Sequence, residues 1–589
     1  MKYIINLLFV GLMCACICSC SDLKFGDSFL GSEPESSGAD IEAMFSSKVN
    51  ADKVLTKAYT YLPYGIPTGD GAQNKLGGNI LEAITDLYQS FRNNAGDGPV
   101  NLYYNGLLSA NTPGTYGNED YRFGSEDQYS AIRYAWFYVE NAAKIPDISE
   151  TERNERIAEA KMIIALSYAE MLRYVGGVSW IDHAVLPSET MKFPRISFAE
   201  TVDKIVDMLD NGVIPFLKWK QSDVDDGHMT KAGAMALKLR VLLFAASPTF
   251  NSDTKWRSDA NEYTCYGNSN KERWQRAMKA GEDFMTTLAS QGIYKLTQSK
   301  DDTPAGRRLA FRSAYYDRGG TEVLISTRRG YNANTHNALF DQRYYSGPTL
   351  NYVNMFPWAD GTDFPADFDW KNPGKQPFFD NNGIPTRDPR LYETVAVPGD
   401  HYFNDTPAPV YTNNPNYRPE GTGFLMMKFI LQANSDRDDR PTQWPYLRLP
   451  EVLLSYAEAI NEYKNGPDQT AYDCVNQIRA RVGLPALTKL NQTEFRNAVL
   501  RERALELGFE EVRWFDLIRW GMKDEFRKPL YGLRTKGDDP VNPTKFTFDT
   551  PYEIARRYWA DNWDTKWYMA PIPQLELNKD YGMTQNPGW

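Results

Sequence analysis

Two stretches of this chain collect aromatic rings beside amide, carboxylate and guanidinium groups. In the first, Asp86, Tyr88, Phe91, Arg92, Asn93 and Asn94 precede Tyr103, Tyr104 and Asn105; in the second, Tyr315, Tyr316, Arg328, Tyr331, Asn332, Asn334, His336, Tyr344 and Tyr345 lie close together. An aromatic ring offers a flat face to the apolar side of a ligand, while amide and guanidinium groups at the rim bond its polar groups. Aromatic residues make up 13% of the sequence, so rings are abundant enough to serve either as platforms or as pins fastening long loops to a core. Exposure separates the two uses. The platform reading requires at least two of Tyr88, Tyr103, Tyr331 and Tyr344 to be exposed on one face, and it fails if all four are buried.

Other chemistries find less support. The four histidines, His183, His228, His336 and His401, are far apart and none lies in an HExxH motif, so neither a metal nor any other cofactor is expected. GxSxG and GxxxxGK[ST] motifs are absent. The runs Asp223 to Gly227 and Asp360 to Asp363 lack the full calcium-loop pattern ending in Glu and read as solvated turns. Seventy-six acidic residues leave open a pair of carboxylates meeting in space, which is what a glycoside hydrolase needs. The expectation is a protein that binds without catalysing.

The N-terminus bears on location. Lys2 precedes an apolar run from Ile4 to Met13, too short for a comfortable membrane span, and Cys20 follows Ile17, Cys18 and Ser19. This resembles a bacterial lipoprotein signal, with 1–19 removed and Cys20 lipidated. Each buried CH₂ contributes about 0.8 kcal/mol, so several acyl chains anchor far more firmly than one. Residues 20–50, rich in Ser, Gly, Asp and Glu, read as a tether. Once 1–19 are removed, Cys265 and Cys474 are the cysteines left besides Cys20, which excludes a disulfide framework but permits one bridge between them. A net charge of -11 with no basic stripe argues against nucleic acid.

Helices must position these residues. Ser149 with Glu152, and Ser197 with Glu200, read as capping boxes; Thr230 opens a helix stopped by Pro248, and Gly176-Gly177 stops another. Trp274, Ala277, Gly281 and Phe284 show the large-small-small-large spacing of nesting tetratricopeptide helices. A further pair is expected from Glu451 to Tyr463 and Ala471 to Val482, followed by one long helix through FRNAVLRERALELGFEEVRWFDLIRWG. The periodicity places helical hairpins at about 125–290 and 445–525. Loop-rich insertions with short strands such as TEVLISTRR are expected at about 63–124 and 301–423. Excursions of that length inside a compact protein are usually functional.

Several segments in order, among them IAEAKMIIALSYAEMLRYVGGVSWID, RDPRLYETV, LRLPEVLLSYAEAINE, VNQIRARVGLPAL, LRERALELGFEEVRWFDLIRWG and YMAPIPQLELNKDYGMTQNPGW, resemble the SusD/RagB family of surface nutrient-binding lipoproteins. The resemblance implies a mostly α fold over 51–589: a SusD-like helical scaffold of irregular tetratricopeptide-type hairpins carrying loop-rich, short-strand insertions. It implies lipid anchorage at the outer membrane facing the exterior, an oligosaccharide ligand, and a SusC-like TonB-dependent transporter as partner. Binding residues commonly fall in the two stretches above, so Tyr88, Phe91, Arg92, Asn94, Tyr103, Tyr331, Asn334 and Tyr344 form the expected ligand-binding set. Peptide or glycopeptide binding and an inert structural lid remain alternatives.

Overall fold

The computed structural model describes residues 41–67, 76, 79–91, 99–111, 128–186, 188–190, 192–417, 421–438, 440–554 and 558–589. Cys20, Arg92, Asn93 and Asn94 lie outside the described residues. The folded body is already present before Ala51: Phe45 is buried against Phe137 and Tyr138, and α1 (Lys48–Tyr59) is capped by the Ser47 side chain, which accepts the Asn50 N–H.

The chain is mostly α. Helix α2 (Gln128–Asn141) pairs with α3 (Glu150–Val175), whose N-cap Ser149 accepts the Glu152 N–H and whose C-cap is Gly176 at φ 82°. The Glu152 carboxylate pairs with Lys48 rather than turning back on the cap, so only half of the expected capping box forms. Helices α4 (Phe198–Asp207) and α5 (Lys231–Ala246) are capped by Ser197 and Thr230 as their spacing demands. The partner of α5 is α6 (Glu272–Gln291). Trp274, Ala277, Gly281 and Phe284 all face inward. At Gly281 a Cβ would lie 2.4 Å from the Tyr456 ring, so this glycine sets how closely α6 meets the next hairpin.

The second insertion is more helical than its composition implies. It contains α7 (Pro304–Tyr316), α8 (Asn332–Asp341), α9 (Leu350–Met355) and α10 (Pro389–Thr394), started by the side chains of Thr303, Thr349 and Asp388 at α7, α9 and α10. These helices are short and rich in Asn, Arg and Tyr, so no apolar stripe betrays them in the sequence. The short strand β1 (Tyr88–Ser90) of the first insertion, the long strand β2 (Val323–Tyr331) and β3 (Ser346–Pro348) flank this region. β1 pairs antiparallel with β3, and β2 pairs antiparallel with β4 (Pro441–Arg448), with Tyr331 opposite Pro441 and Arg328 opposite Gln443.

Helices α11 (Leu449–Lys464), α12 (Gln469–Arg481) and α13 (Gln492–Leu507) complete the scaffold, with α11 packed on α6, α12 and α13. The single long helix expected here is broken: α13 ends at Leu507 and α14 spans Arg513–Arg519. A Cβ at Gly508 would lie 1.9 Å from the Tyr352 hydroxyl, and Phe509 and Glu511 take positive φ of 65° and 59°. The break turns Glu510 into the core, where it meets Lys428 at 2.6 Å and Arg448 at 2.8 Å.

That core holds a balanced ionic lattice. Arg390, Lys428, Arg448, Arg479 and Arg481 interleave with Asp388, Glu322, Glu502, Glu506 and Glu510, all buried. Glu506 is its hub, meeting Arg390 at 3.2 Å, Arg448 at 3.1 Å and Arg481. The RDPR segment thus fastens α10 to α12 and α13. Arg387 of the same segment has carbonyl partners instead of a carboxylate, at Val353 (2.8 Å) and Phe356, and stacks 3.7 Å from the Phe364 ring. Burial pulls it down to about 9. Cys265 and Cys474 are both buried and free, so the permitted bridge does not form.

Candidate functional site

Strand β2 ends at Tyr331 and runs directly into α8, whose first residue is locked in place. The Asn332 amide donates to the Asp436 carbonyl (2.7 Å) and the Asp438 carboxylate (2.8 Å), and its oxygen accepts the Asp438 N–H (2.7 Å). Asn332, Thr335, His336 and Leu339 form the buried side of α8. The opposite side carries Tyr331, Asn334, Asn337, Asp341 and Tyr344, all exposed. Intervals of three, four and three residues keep Asn334, Asn337, Asp341 and Tyr344 on one side of the helix and of the turn Gln342–Tyr344 that extends it, and Tyr331 is exposed at the strand end that leads into the helix. Thirteen residues at about 1.5 Å each spread the two tyrosines over about 20 Å.

The rings at the ends differ in how they are held. Tyr331 is 53% exposed. Tyr344 is 41% exposed and has Arg343 over its ring at 4.2 Å; the same guanidinium lies 3.6 Å from the Phe340 ring and donates to the Phe340 carbonyl at 2.6 Å. A second donation from Arg343 reaches the Tyr344 hydroxyl at 2.5 Å. Arg343 therefore fixes the position of the Tyr344 ring, and this arginine was not foreseen from the sequence. The period of 331, 334, 337, 341 and 344 is the signal that could have added Asn337 and Asp341.

Tyr88 corrects an expectation. It is fully buried, and its hydroxyl is paired with Gln342 (3.1 Å) and Ser346 (3.0 Å). Its ring packs edge-on against Phe509, which leaves no face for a ligand. Burial raises its hydroxyl well beyond the ordinary range. The residue instead ties β1 to the turn that presents Tyr344. Tyr103 is a second correction: it is buried among Trp559 and Trp514, with ring centroids 5.0 and 6.2 Å away. Phe91 is half-buried, its N–H donating to the Tyr345 carbonyl (2.7 Å) and its ring lying over Gly421, where a Cβ would come within 2.2 Å. It is thereby brought next to the Tyr344 end of the stripe.

The remaining candidates have structural partners. Tyr315 is buried, and Arg328 pairs with Asp226 at 2.6 Å. His336 is buried, its Nδ1 accepting the Leu431 N–H at 3.1 Å, and burial with Arg437 and Arg343 nearby lowers it to about 4, so it is neutral near pH 7. Asp360 turns back on Thr362, and Asp363 pairs with Arg501. No group of His, Cys, Asp and Glu arranged to hold a metal occurs among the described residues.

Residues 316–589 match the model of the SusD family, a stretch that includes α8 and the whole of the stripe. The matched stretch, a little under half of the chain, is similar to the SusD family. The SusD-like protein P2 of Formosa agariphila is 37% identical to this SusD-like chain over 168 residues, covering 27% of the chain and 28% of the relative. The chain thus aligns with little more than a quarter of that relative's length. Among solved structures, a SusD-like protein from Bacteroides fragilis NCTC 9343 superposes with a TM-score of 0.70 at 23% identity, over 93% of this chain and 98% of that one. A laminarin-binding SusD-like protein superposes at 0.57 and 18% identity, over 92% of this chain and all of the other. At these identities the superpositions establish a shared SusD-like fold.

Proposed function

We propose that this SusD-like chain is a non-catalytic cell-surface lipoprotein that captures an oligosaccharide and delivers it to a SusC-like TonB-dependent transporter. The observation that carries the reading is the stripe on α8: two exposed tyrosines bracketing Asn334, Asn337 and Asp341. Flat faces at both ends with amides between them match the alternation of C–H faces and hydroxyls along a glycan. Phe91 would extend the surface at the Tyr344 end. The match of residues 316–589 to the SusD family model and the laminarin-binding protein of the same fold support a carbohydrate ligand.

Binding needs no covalent step. Glycoside hydrolysis requires two carboxylates flanking the bond, whereas the stripe offers one, Asp341. Lipidation at Cys20 would hold the body at the outer face of the outer membrane, and no helix of the described residues is long and apolar enough to cross a membrane. Affinity electrophoresis through gels containing laminarin and a panel of other polysaccharides tests the reading. Retardation by at least one of them is expected, and free migration through all of them would contradict it.

A further inference from the structure

One cation beside the stripe has no partner among the described residues. Arg318 sits on the turn after α7, exposed, with no hydrogen bond or ion pair among the described residues. The turn is held against β4, since the Gln443 amide donates to the Asp317 carbonyl at 3.0 Å, two residues from the Pro441 that faces Tyr331 across the ladder. The same loop that locks Asn332 also borders this turn: Asp438 and Arg440 act on both Tyr316 and Arg318. Arg318 and Tyr331 therefore flank one short loop.

The two carboxylates acting on Arg318 from other elements are already taken. Asp226 is held by Arg328 and Asp438 by Arg440. Burial and Arg328, the first two influences on Arg318, both disfavour its positive charge, and an incoming anion would favour it again. The opposite end of the stripe has the reverse character, because Asp341 is exposed there. A guanidinium is the side chain best suited to bidentate recognition of a carboxylate or a sulfate ester.

We propose that Arg318 reads an anionic group on the glycan, so that the preferred ligand is an acidic oligosaccharide seated with its charged unit at the Tyr331 end. This rests on the stripe being the glycan site. It is compatible with the net charge of -11, because one surplus guanidinium recognises one charged substituent and does not track a polyanion.

Titration calorimetry of the wild-type protein and Arg318→Gln tests it with three probes of equal length: an oligogalacturonate, a sulfated carrageenan oligosaccharide and a neutral laminarin oligosaccharide. The wild type should bind one acidic probe about tenfold more tightly than the neutral one, and which acidic probe responds separates carboxylate from sulfate. Arg318→Gln should lose that preference while keeping its affinity for the neutral probe, and Arg318→Lys should regain part of it. Because Arg318 makes no hydrogen bond or ion pair among the described residues, these variants should melt with the wild type. Equal binding of acidic probes by wild type and Arg318→Gln, or no acidic preference in the wild type, would overturn the inference and leave the stripe reading intact. Failure of all three probes to bind the wild type would overturn the inference, and free migration through the whole polysaccharide panel as well would overturn the stripe reading.

Discussion

The Arg513 guanidinium grips the Asp86 carboxylate with two parallel hydrogen bonds of 2.9 and 2.7 Å, both groups buried. This bond joins the first insertion to α14, the helix made separate by the break at Gly508. Asp86 belongs to the segment that reads as a binding loop, yet its charge is spent inside the protein. Removing one member of a buried pair strands the other and costs about 3–5 kcal/mol. Asp86→Ala should lower the unfolding free energy by about that much in a urea titration. A change below about 0.5 kcal/mol, ordinary for surface positions, would show that the pair is not structural.

Glu506 should matter more. Burial by itself would raise its carboxyl, but Arg481, Arg448 and Arg390 outweigh that and hold it far below the ordinary range. A depressed folded value means the contribution is complete above the unfolded value of about 4.3 and is lost as pH falls toward the folded one. Glu506→Ala should destabilise the protein at neutral pH by at least about 3 kcal/mol and flatten the decline of stability in acid. Thermal melts between neutral and strongly acidic pH check both; a variant that keeps the wild-type acid slope would contradict the assignment.

His228 has the opposite sign. Its hydrogen bond to the buried Glu159 carboxylate (2.7 Å) raises it, against burial and Arg156. Its stabilisation is therefore complete below the unfolded value of about 6.5 and is lost as pH rises through the raised folded value. The half-exposed ring is screened by solvent, so the effect should stay under about 1 kcal/mol. Wild type should lose more melting temperature than His228→Gln on going from about pH 6 to about pH 9, and parallel profiles would refute the pairing.

The lipid reading has its own test. Cys20→Ala should release the body into the soluble fraction with glycan binding unchanged; persistent membrane attachment would show that another element anchors it.

Much of the scaffold was legible because helix caps and packing are local. Ser149, Ser197, Thr230 and Gly176 mark helix ends within a few residues of the atoms they satisfy, and the Trp274 to Phe284 spacing named its own buried face. The site was legible only in part, because exposure there is decided by distant partners. Tyr88 and Tyr331 look alike in sequence, but the fate of Tyr88 is set by Ser346, 258 residues away. The break at Gly508 was hidden for the same reason, since it depends on Tyr352 across the core. Arg387 and Arg390 carried the family-like motif, and the structure gives them a fastening role.

The central claim is that α8 presents a glycan-binding stripe. Titration of the best-retained glycan into wild type, Tyr331→Ala, Tyr344→Ala and the double variant tests it most directly. Losing one exposed platform should weaken binding about tenfold, or about 1.4 kcal/mol, and losing both should abolish measurable heat while the melting temperature stays unchanged. Wild-type affinity in the double variant would contradict the account.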